Sequence, residues 1–299
     1  MKTIPVIIDT DIGSDIDDTW ALAMAFGCPE LDIKLITTCT GDTTYRAKIV
    51  CKFLEHVGHT EIPVGLGLTF DSLSENQRAY IDGYQLRDYP GEIIDDGVRA
   101  MADIIMQSEE TVTLICLGPL QNIQKLLQIE PRITKKARFV GMHGAIFRGY
   151  KGTNDVQAEY NIVQHVDSAK TVFSSDLDMI ITPLDTCGMI SLEGDNYQAV
   201  AKATNKTMIE VITNYEIWLR ALGAKDVESI NRSSTLFDTV AIYLALDNAL
   251  LEMKKLCIKI TDEGKTVVDE TGKEMSVAIE WRDQRTFYDF LINRLLKAP

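Results

Sequence analysis

The sequence predicts an α/β fold: one mostly parallel open sheet flanked by helices, forming a single domain over residues 1–299, with a small strand-rich addition near its C-terminal end. Three observations predict it. The first two-thirds of the chain alternates short β-branched runs with amphipathic helical segments. Those runs are apolar throughout rather than alternating, as strands covered on both faces require. Nearly every unusual polar cluster directly follows one of the runs, and open parallel sheets bind ligands at the carboxyl ends of their strands. A length of 299 residues would allow two domains at roughly 150 residues each, but no linker, repeat or low-complexity tract marks a boundary.

Taken in order, the apolar run Ile4–Asp9 is the first strand and Asp17–Phe26 the first helix, opening on a pair of acids. Ile33–Cys39 and Tyr45–His56 repeat the pair. The stretch Gly65–Gly91 is long and polar with few helix or strand signals, which marks a functional lid or a disordered segment. Gly97–Gln107 is helical, Thr111–Leu117 a strand and Pro119–Gln128 a helix. Arg138–Met142 and Met179–Pro183 are strands on either side of a helix over Val166–Ser174. Helices near Gln198–Leu222 and Leu236–Ala249 come next. The strand-rich tail Leu256–Ile279 follows, with turn signals at Asp262-Glu263-Gly264 and Thr271-Gly272. A helix over Arg285–Leu296 comes last.

The chain is 45% hydrophobic and 25% charged, ordinary globular composition that excludes a disordered or fibrous protein. It carries 30 Lys plus Arg against 44 Asp plus Glu, a net charge of −14. Such a surface repels phosphate backbones and anionic lipid, so a neutral small molecule or a cation is the expected partner, not nucleic acid or membrane. The six cysteines (Cys28, Cys39, Cys51, Cys116, Cys187, Cys257) show no metal-ligand spacing and sit singly in apolar stretches, as buried thiols do in a reducing compartment. The apolar run before Asp9 is too short for a signal peptide, and no stretch approaches the ~18 apolar residues of a membrane span. The expected location is the cytoplasm.

Five acids, Asp9, Asp11, Asp15, Asp17 and Asp18, fall within ten residues directly after Ile4–Ile8, with Gly13 available for a tight turn. One or two acids beside a helix N-terminus are ordinary caps, but capping does not account for five. Like charges this close cost free energy unless a cation or protons neutralise them. Oxygen-only ligands point to Ca²⁺ or Mg²⁺ rather than zinc. One family with acids after a first strand is the haloacid-dehalogenase-like phosphatases. Asp9-Thr-Asp11 fits its pattern, but Gly13 stands where that family prefers Thr or Val, and the acidic surface is unhelpful for phosphorylated substrates.

A second resemblance runs much further. IIDTDIGSDIDDTWALAMAF resembles the D-x-D-x-G-x-D-D-x-x-A-[LI] segment of the inosine-uridine-preferring nucleoside hydrolases. Six further blocks occur in that family's order: LITTCTGDTTYRA, TLICLGPLQNIQKLL (its G-P-L-x-N-[IL]), FVGMHGA (its M-G-G), AEYNIVQHVDSAKTVF (its A-E-[FW]-N), ITPLDTCG and LFDTVAIYLAL. The resemblance implies a Rossmann-like nucleoside hydrolase fold. It also implies an enzyme that hydrolyses the N-glycosidic bond of ribonucleosides in salvage, with one Ca²⁺ binding the attacking water and two ribose hydroxyls.

Residue by residue, the resemblance places the metal on Asp11, Asp18, the carbonyl of Leu117 and Asp238, with Asp11 also the general base. It gives the ribose to Asp17, Asp42, Met142, Glu159, Asn161 and either Asn154 or Thr153. The transition state should be oxocarbenium-like, with the carboxylates stabilising positive charge on the sugar. Homodimers or homotetramers are implied by analogy.

The chain departs from the family in three places. The Asp pair lies two residues later than usual, which leaves Asp15 at the unshifted offset and open as the ribose ligand in place of Asp17. Asp42 replaces an Asn, although a turn acid in TGDT would look the same. Phe237 stands where purine-cleaving members with a leaving-group acid carry His, and a phenylalanine cannot protonate a departing base. Among the four histidines, His143 follows a strand and could line the pocket, while His56, His59 and His165 read as surface or helix-start residues. Base contacts would then fall to Gly65–Gly91, with Tyr80 and Tyr84, and to Thr213–Ser229, with Tyr215 and Trp218, rings that a packed helix would equally show. Purine, pyrimidine and modified nucleosides stay open. So does a non-catalytic descendant binding ribosides or Ca²⁺, against which every implied metal ligand is present.

Overall fold

The apolar runs of the first two-thirds become the middle of one sheet. The computed structural model describes residues 3–71 and 74–299; Met1, Lys2 and, within the polar Gly65–Gly91 stretch, Ser72 and Leu73 lie outside the described residues. Its strands are β1 (Ile4–Thr10), β2 (Leu31–Thr38), β3 (Val64–Leu66), β4 (Ile93–Ile94), β5 (Val112–Cys116), β6 (Ala137–Met142), β7 (Asp178–Thr182), β8 (Leu251–Ile260), β9 (Thr266–Val268) and β10 (Lys273–Trp281). They lie in the order β4-β3-β2-β1-β5-β6-β7-β10-β8-β9. All pairs from β4 to β7 are parallel, β10 joins β7 in parallel, and β10, β8 and β9 run antiparallel.

Both faces of the central strands are covered, which is why they are apolar at every position. Val6 and Ile8 of β1 pack with Trp20, Leu22 and Met24 of helix Asp17–Phe26, whereas Ile7 between them faces the opposite layer with Leu35, Leu114 and Phe139. The strand order turns at β1: β2, β3 and β4 lie to one side, β5, β6 and β7 to the other. A parallel sheet opens a crevice at the carboxyl ends of the two strands flanking such a point. Here these are β1 and β5. Their register sets Asp9 opposite Cys116, and the Leu117 N–H donates to the Asp9 carbonyl at 2.8 Å, so the segments carrying Asp11 and Leu117 leave the sheet side by side.

Some boundaries differ from the sequence expectation. The single helix expected over Gln198–Leu222 is two, Gly194–Ala201 and Lys206–Ala221, because Asn205 caps the second by accepting from the Met208 N–H at 2.8 Å. The helix expected over Leu236–Ala249 is shorter, Thr239–Leu246. Gly65–Gly91 is not all loop: its start belongs to β3, and 3₁₀ turns form at Arg78–Ile81 and Leu86–Asp88.

Candidate active site

After β1 the chain turns through Asp11 to Ile16 before the helix Asp17–Phe26 begins. Gly13 takes φ 116° there, and a Cβ on it would stand 2.6 Å from Tyr45 Cε1, so only glycine fits. Every carbonyl from Asp11 to Asp15 accepts from a side chain on another segment. Arg46 Nη1 donates to Asp11 and, at 2.8 Å, to Ile12, and the Tyr45 hydroxyl donates to Gly13 at 3.0 Å. Asn76 Nδ2 and Trp218 Nε1 donate to Ser14 at 2.8 and 3.1 Å, and Gln77 Nε2 to Asp15 at 2.7 Å. The buried Arg46 also donates from Nε to the Thr40 carbonyl (2.8 Å) and from Nη2 to the Ser14 hydroxyl (3.0 Å). A backbone satisfied in this way stays put while the side chains it carries repel one another.

Those side chains are acids. Neither Asp17 nor Asp18 caps its helix, since Ile16 is the N-cap and makes no side-chain bond. Asp238 stands at the start of helix Thr239–Leu246, again without a cap bond. Asp17, Asp18 and Asp238, all buried, each place an oxygen within 4.8 Å of the others, the one such grouping of possible metal ligands among the described residues. The Thr10 hydroxyl donates to Asp18. Burial, and after it the neighbouring carboxylates, hold Asp17, Asp18 and Asp238 well above the usual carboxylate range. Burial pushes Asp11 up to about 6, with the Arg46 guanidinium pulling the other way.

The opposite wall comes from β6 and the short helix Tyr160–Val163. Asn161 Nδ2 donates to the carbonyls of Leu117 (2.6 Å) and Met142 (3.0 Å). Glu159 accepts from the N–H groups of Asn161 (2.7 Å), Gly144 (3.0 Å) and Ile162 (3.2 Å), yet burial still raises its carboxyl to about 7. Behind the site, Asn122 of the Gly-Pro-Leu run donates to Asp9 Oδ1 (2.8 Å) and the Thr38 carbonyl (3.1 Å) and accepts from the Leu68 N–H (2.9 Å), tying β1, β2 and the chain after β3 together.

These residues enclose a pocket of about 620 Å³ lined by Asp11, Asp17, Asp18, Asp238, Leu117, Met142, Glu159 and Asn161, with Trp218, Phe237, Tyr150 and Tyr160 among its rings. Asp15 lines it too, from an exposed position. Six expected residues stand elsewhere. Asp42 is the N-cap of helix Thr43–Val57 and spends its carboxylate on the N–H groups of Thr44 (2.9 Å) and Tyr45 (3.0 Å). His143 is buried in the core between Phe139 and Phe173 with Nε2 on the Gly118 carbonyl (3.0 Å). The hydroxyls of Tyr80, Tyr84 and Tyr215 go to Glu210 (2.7 Å), Glu55 (2.8 Å) and the Arg232 carbonyl (3.0 Å). Tyr215 stacks behind Trp218 at 5.9 Å instead of facing the pocket. Asn154, like Thr153, is exposed and outside the lining.

The expectation omitted Arg46, Ser14, Tyr150 and Tyr160. A signal existed for Arg46. It shares the helical spacing of Val50, Phe53 and Val57, all buried, so it had to be a cation in the core stripe next to an acidic loop.

Comparison with known proteins agrees with the geometry. The sequence profile described as inosine-uridine preferring nucleoside hydrolase matches residues 6–289. The chain is 31% identical to the non-specific ribonucleoside hydrolase RihC of Klebsiella pneumoniae subsp. pneumoniae, over 68% of each chain. It is 28% identical to that of Salmonella paratyphi B, over 91% of this chain and 89% of the other. Among solved structures, a plant nucleoside hydrolase (PpNRh1) superposes with a TM-score of 0.82 at 19% identity, covering 99% of both chains. A purine-preferring ribonucleoside hydrolase from Gardnerella vaginalis superposes with a TM-score of 0.77 at 23% identity, covering 98% of this chain and 99% of that one.

Proposed function

The chain belongs to the inosine-uridine preferring nucleoside hydrolase family and is an N-glycosidase, and from that premise we propose that it hydrolyses ribonucleosides to ribose and free base with one Ca²⁺ held by Asp11, Asp18, Asp238 and the Leu117 carbonyl. The observation that carries this reading is the acid cluster: buried, mutually repelling carboxylates at the switch point of the sheet, facing a pocket. The donors fit such an ion. They are all oxygen, they carry excess negative charge, and burial gives the uncompensated cluster a reason to take up a cation. Bound there, such an ion would supply the positive charge that acidifies water and attracts the hydroxyls of the sugar.

The protein's own groups do the rest. Asp11 takes the proton of the attacking water as general base. Asp17, whose carboxylate belongs to the same cluster, accepts from a ribose hydroxyl, while Glu159 and Asn161 hold the others and Met142 packs on the sugar. As the C1′–N bond opens, positive charge builds on the sugar and the surrounding carboxylates stabilise it. Trp218, fixed by its bond to Ser14 and backed by Tyr215, offers a flat face to the base, with Phe237 as a further apolar wall. Purine, pyrimidine and modified nucleosides all suit such faces. The six free cysteines, five of them buried, suit a reducing cytoplasm and a role in salvage, with a homodimer or homotetramer as the family-based assembly.

The test is release of reducing sugar from a panel of purine, pyrimidine, modified and deoxy nucleosides, with and without EDTA. Asp11→Asn is expected to lower kcat by roughly 10²–10⁴-fold while calcium still registers in a binding titration. Release indifferent to chelation and to Asp11→Asn would sink the reading. Calcium binding with no release from any substrate would leave a riboside-binding descendant.

A further inference from the structure

Glu210, Asn214 and Trp218 stand a turn apart on one face of helix Lys206–Ala221, and each is hydrogen-bonded to another segment. Trp218 reaches the acid loop directly, its Nε1 donating to the Ser14 carbonyl at 3.1 Å. Glu210 accepts from the Tyr80 hydroxyl at 2.7 Å. Asn214, between them, donates from Nδ2 to Gln77 Oε1 at 2.8 Å, and Gln77 donates from Nε2 to the Asp15 carbonyl at 2.7 Å. The helix that carries the indole therefore meets two consecutive peptides of the acid loop, one by Trp218 itself and one through Gln77.

Gln77 is wholly buried and stands outside the pocket lining. Its Oε1 also accepts from Thr19 Oγ1 at 3.4 Å, and its backbone N–H donates to the Tyr45 hydroxyl at 3.0 Å. The junction demands an amide. The Asp15 carbonyl on one side needs a donor, while Asn214 and Thr19 on the other need an acceptor; an ionised glutamate lacks the first and a lysine the second. Stability alone does not account for it, because the buried Asn214 Oδ1 is left without a partner, a cost that an apolar contact between the two elements would avoid. The loop does not depend on Gln77, since Arg46, Tyr45 and Asn76 hold its other carbonyls. The helix does. One bond at Trp218 is a pivot about which the indole tilts; a second, one turn away and on the next peptide, fixes the roll of the helix and with it the plane of the ring.

Resting on the hydrolase reading above, in which the indole receives the base, we propose that Gln77 is a positioning residue for nucleoside affinity: through Asn214 it sets the plane of Trp218 against the acid loop, without touching substrate itself.

The test is a double-mutant cycle on KM and kcat for inosine and uridine. Gln77→Met, close to glutamine in length but with no amide, is expected to raise KM roughly 3- to 30-fold and to change kcat by less than about threefold. Asn214→Leu cuts the same link from the helix side and should give the same split, so that if either variant fails to fold the other decides. In a Trp218→Ala background, itself raised in KM, either substitution should add less than about twofold, because the ring whose plane they set is gone. A merely structural role would instead multiply with the effect of Trp218→Ala. Multiplying effects, a wild-type KM in the Gln77 and Asn214 variants or in Trp218→Ala, or a loss carried by kcat overturns the assignment. A wild-type chain that releases ribose from neither nucleoside overturns instead the hydrolase reading on which it rests.

Discussion

His143 is an imidazole with no room for charge. Its Nε2 meets the Gly118 carbonyl, its Nδ1 has no partner, and burial lowers its pKa to about 4. Unfolded, the same ring takes up a proton near its ordinary value of 6.5. Between those two pH values the unfolded chain binds more protons than the folded one, so the contribution of His143 is intact above 6.5 and is lost as pH falls through 4. The total is roughly 3 kcal/mol. Buried acids act with the opposite sign: Asp9 and Glu159, both raised to about 7, lose stability as pH rises. The measurement is therefore the difference between wild type and His143→Gln in urea midpoint from pH 7 to 4. It should shrink as pH falls, and parallel curves would mean that the ring protonates without cost.

Helices and turns decide which polar residues are free to act. Asp42 is spent on the first turn of helix Thr43–Val57, so Asp42→Ala should cost about 1 kcal/mol of stability and leave kcat and KM unchanged. A large fall in kcat/KM without loss of stability would return Asp42 to the ribose. The same distinction explains what could be read in advance. Helices Asp17–Phe26 and Gly97–Gln107 were legible to the residue, and five of the strands nearly so, because their signals are local apolar patterns. β3 was not, since Val-Gly-Leu is too short to show a period. Half of β8 escaped as well, where Glu252, Lys254 and Lys255 on a part-exposed strand hide its apolar positions. The acids after β1 were legible because they are neighbours in sequence. The bonds of Arg46 and Trp218 to Ser14 are contacts made only by folding, and no local pattern encodes them. The rings of Tyr80, Tyr84 and Tyr215 misled for the same reason: composition says that a tyrosine is present, not which carboxylate or carbonyl claims its hydroxyl.

Taken whole, the molecule holds a charge imbalance inside as well as outside, with a net charge of −14 and a buried acid cluster. Asp17, Asp18 and Asp238 have folded pKa values above their unfolded ones, so without a cation their contribution is best in acid and falls as pH rises beyond the ordinary carboxylate range. Calcium at a hundredfold over its Kd should restore roughly 3 kcal/mol, and the rise in Tm it gives should be larger at pH 8 than at pH 5. A calcium effect that is absent, or the same at both, would count against the cluster as the binding site. The distribution of the cluster along the chain also sets a timetable. The ribosome delivers Asp11, Asp17 and Asp18 almost at once, but Trp218 and Asp238 emerge only in the last third of the polypeptide. At roughly 5–20 residues per second, the early acids wait on the order of tens of seconds for the carboxylate that closes the cluster and the indole that helps brace their loop. On the calcium reading, a chain cut short of Asp238 has the early acids but lacks the carboxylate that completes the cluster, and it should take up calcium more weakly than the full chain.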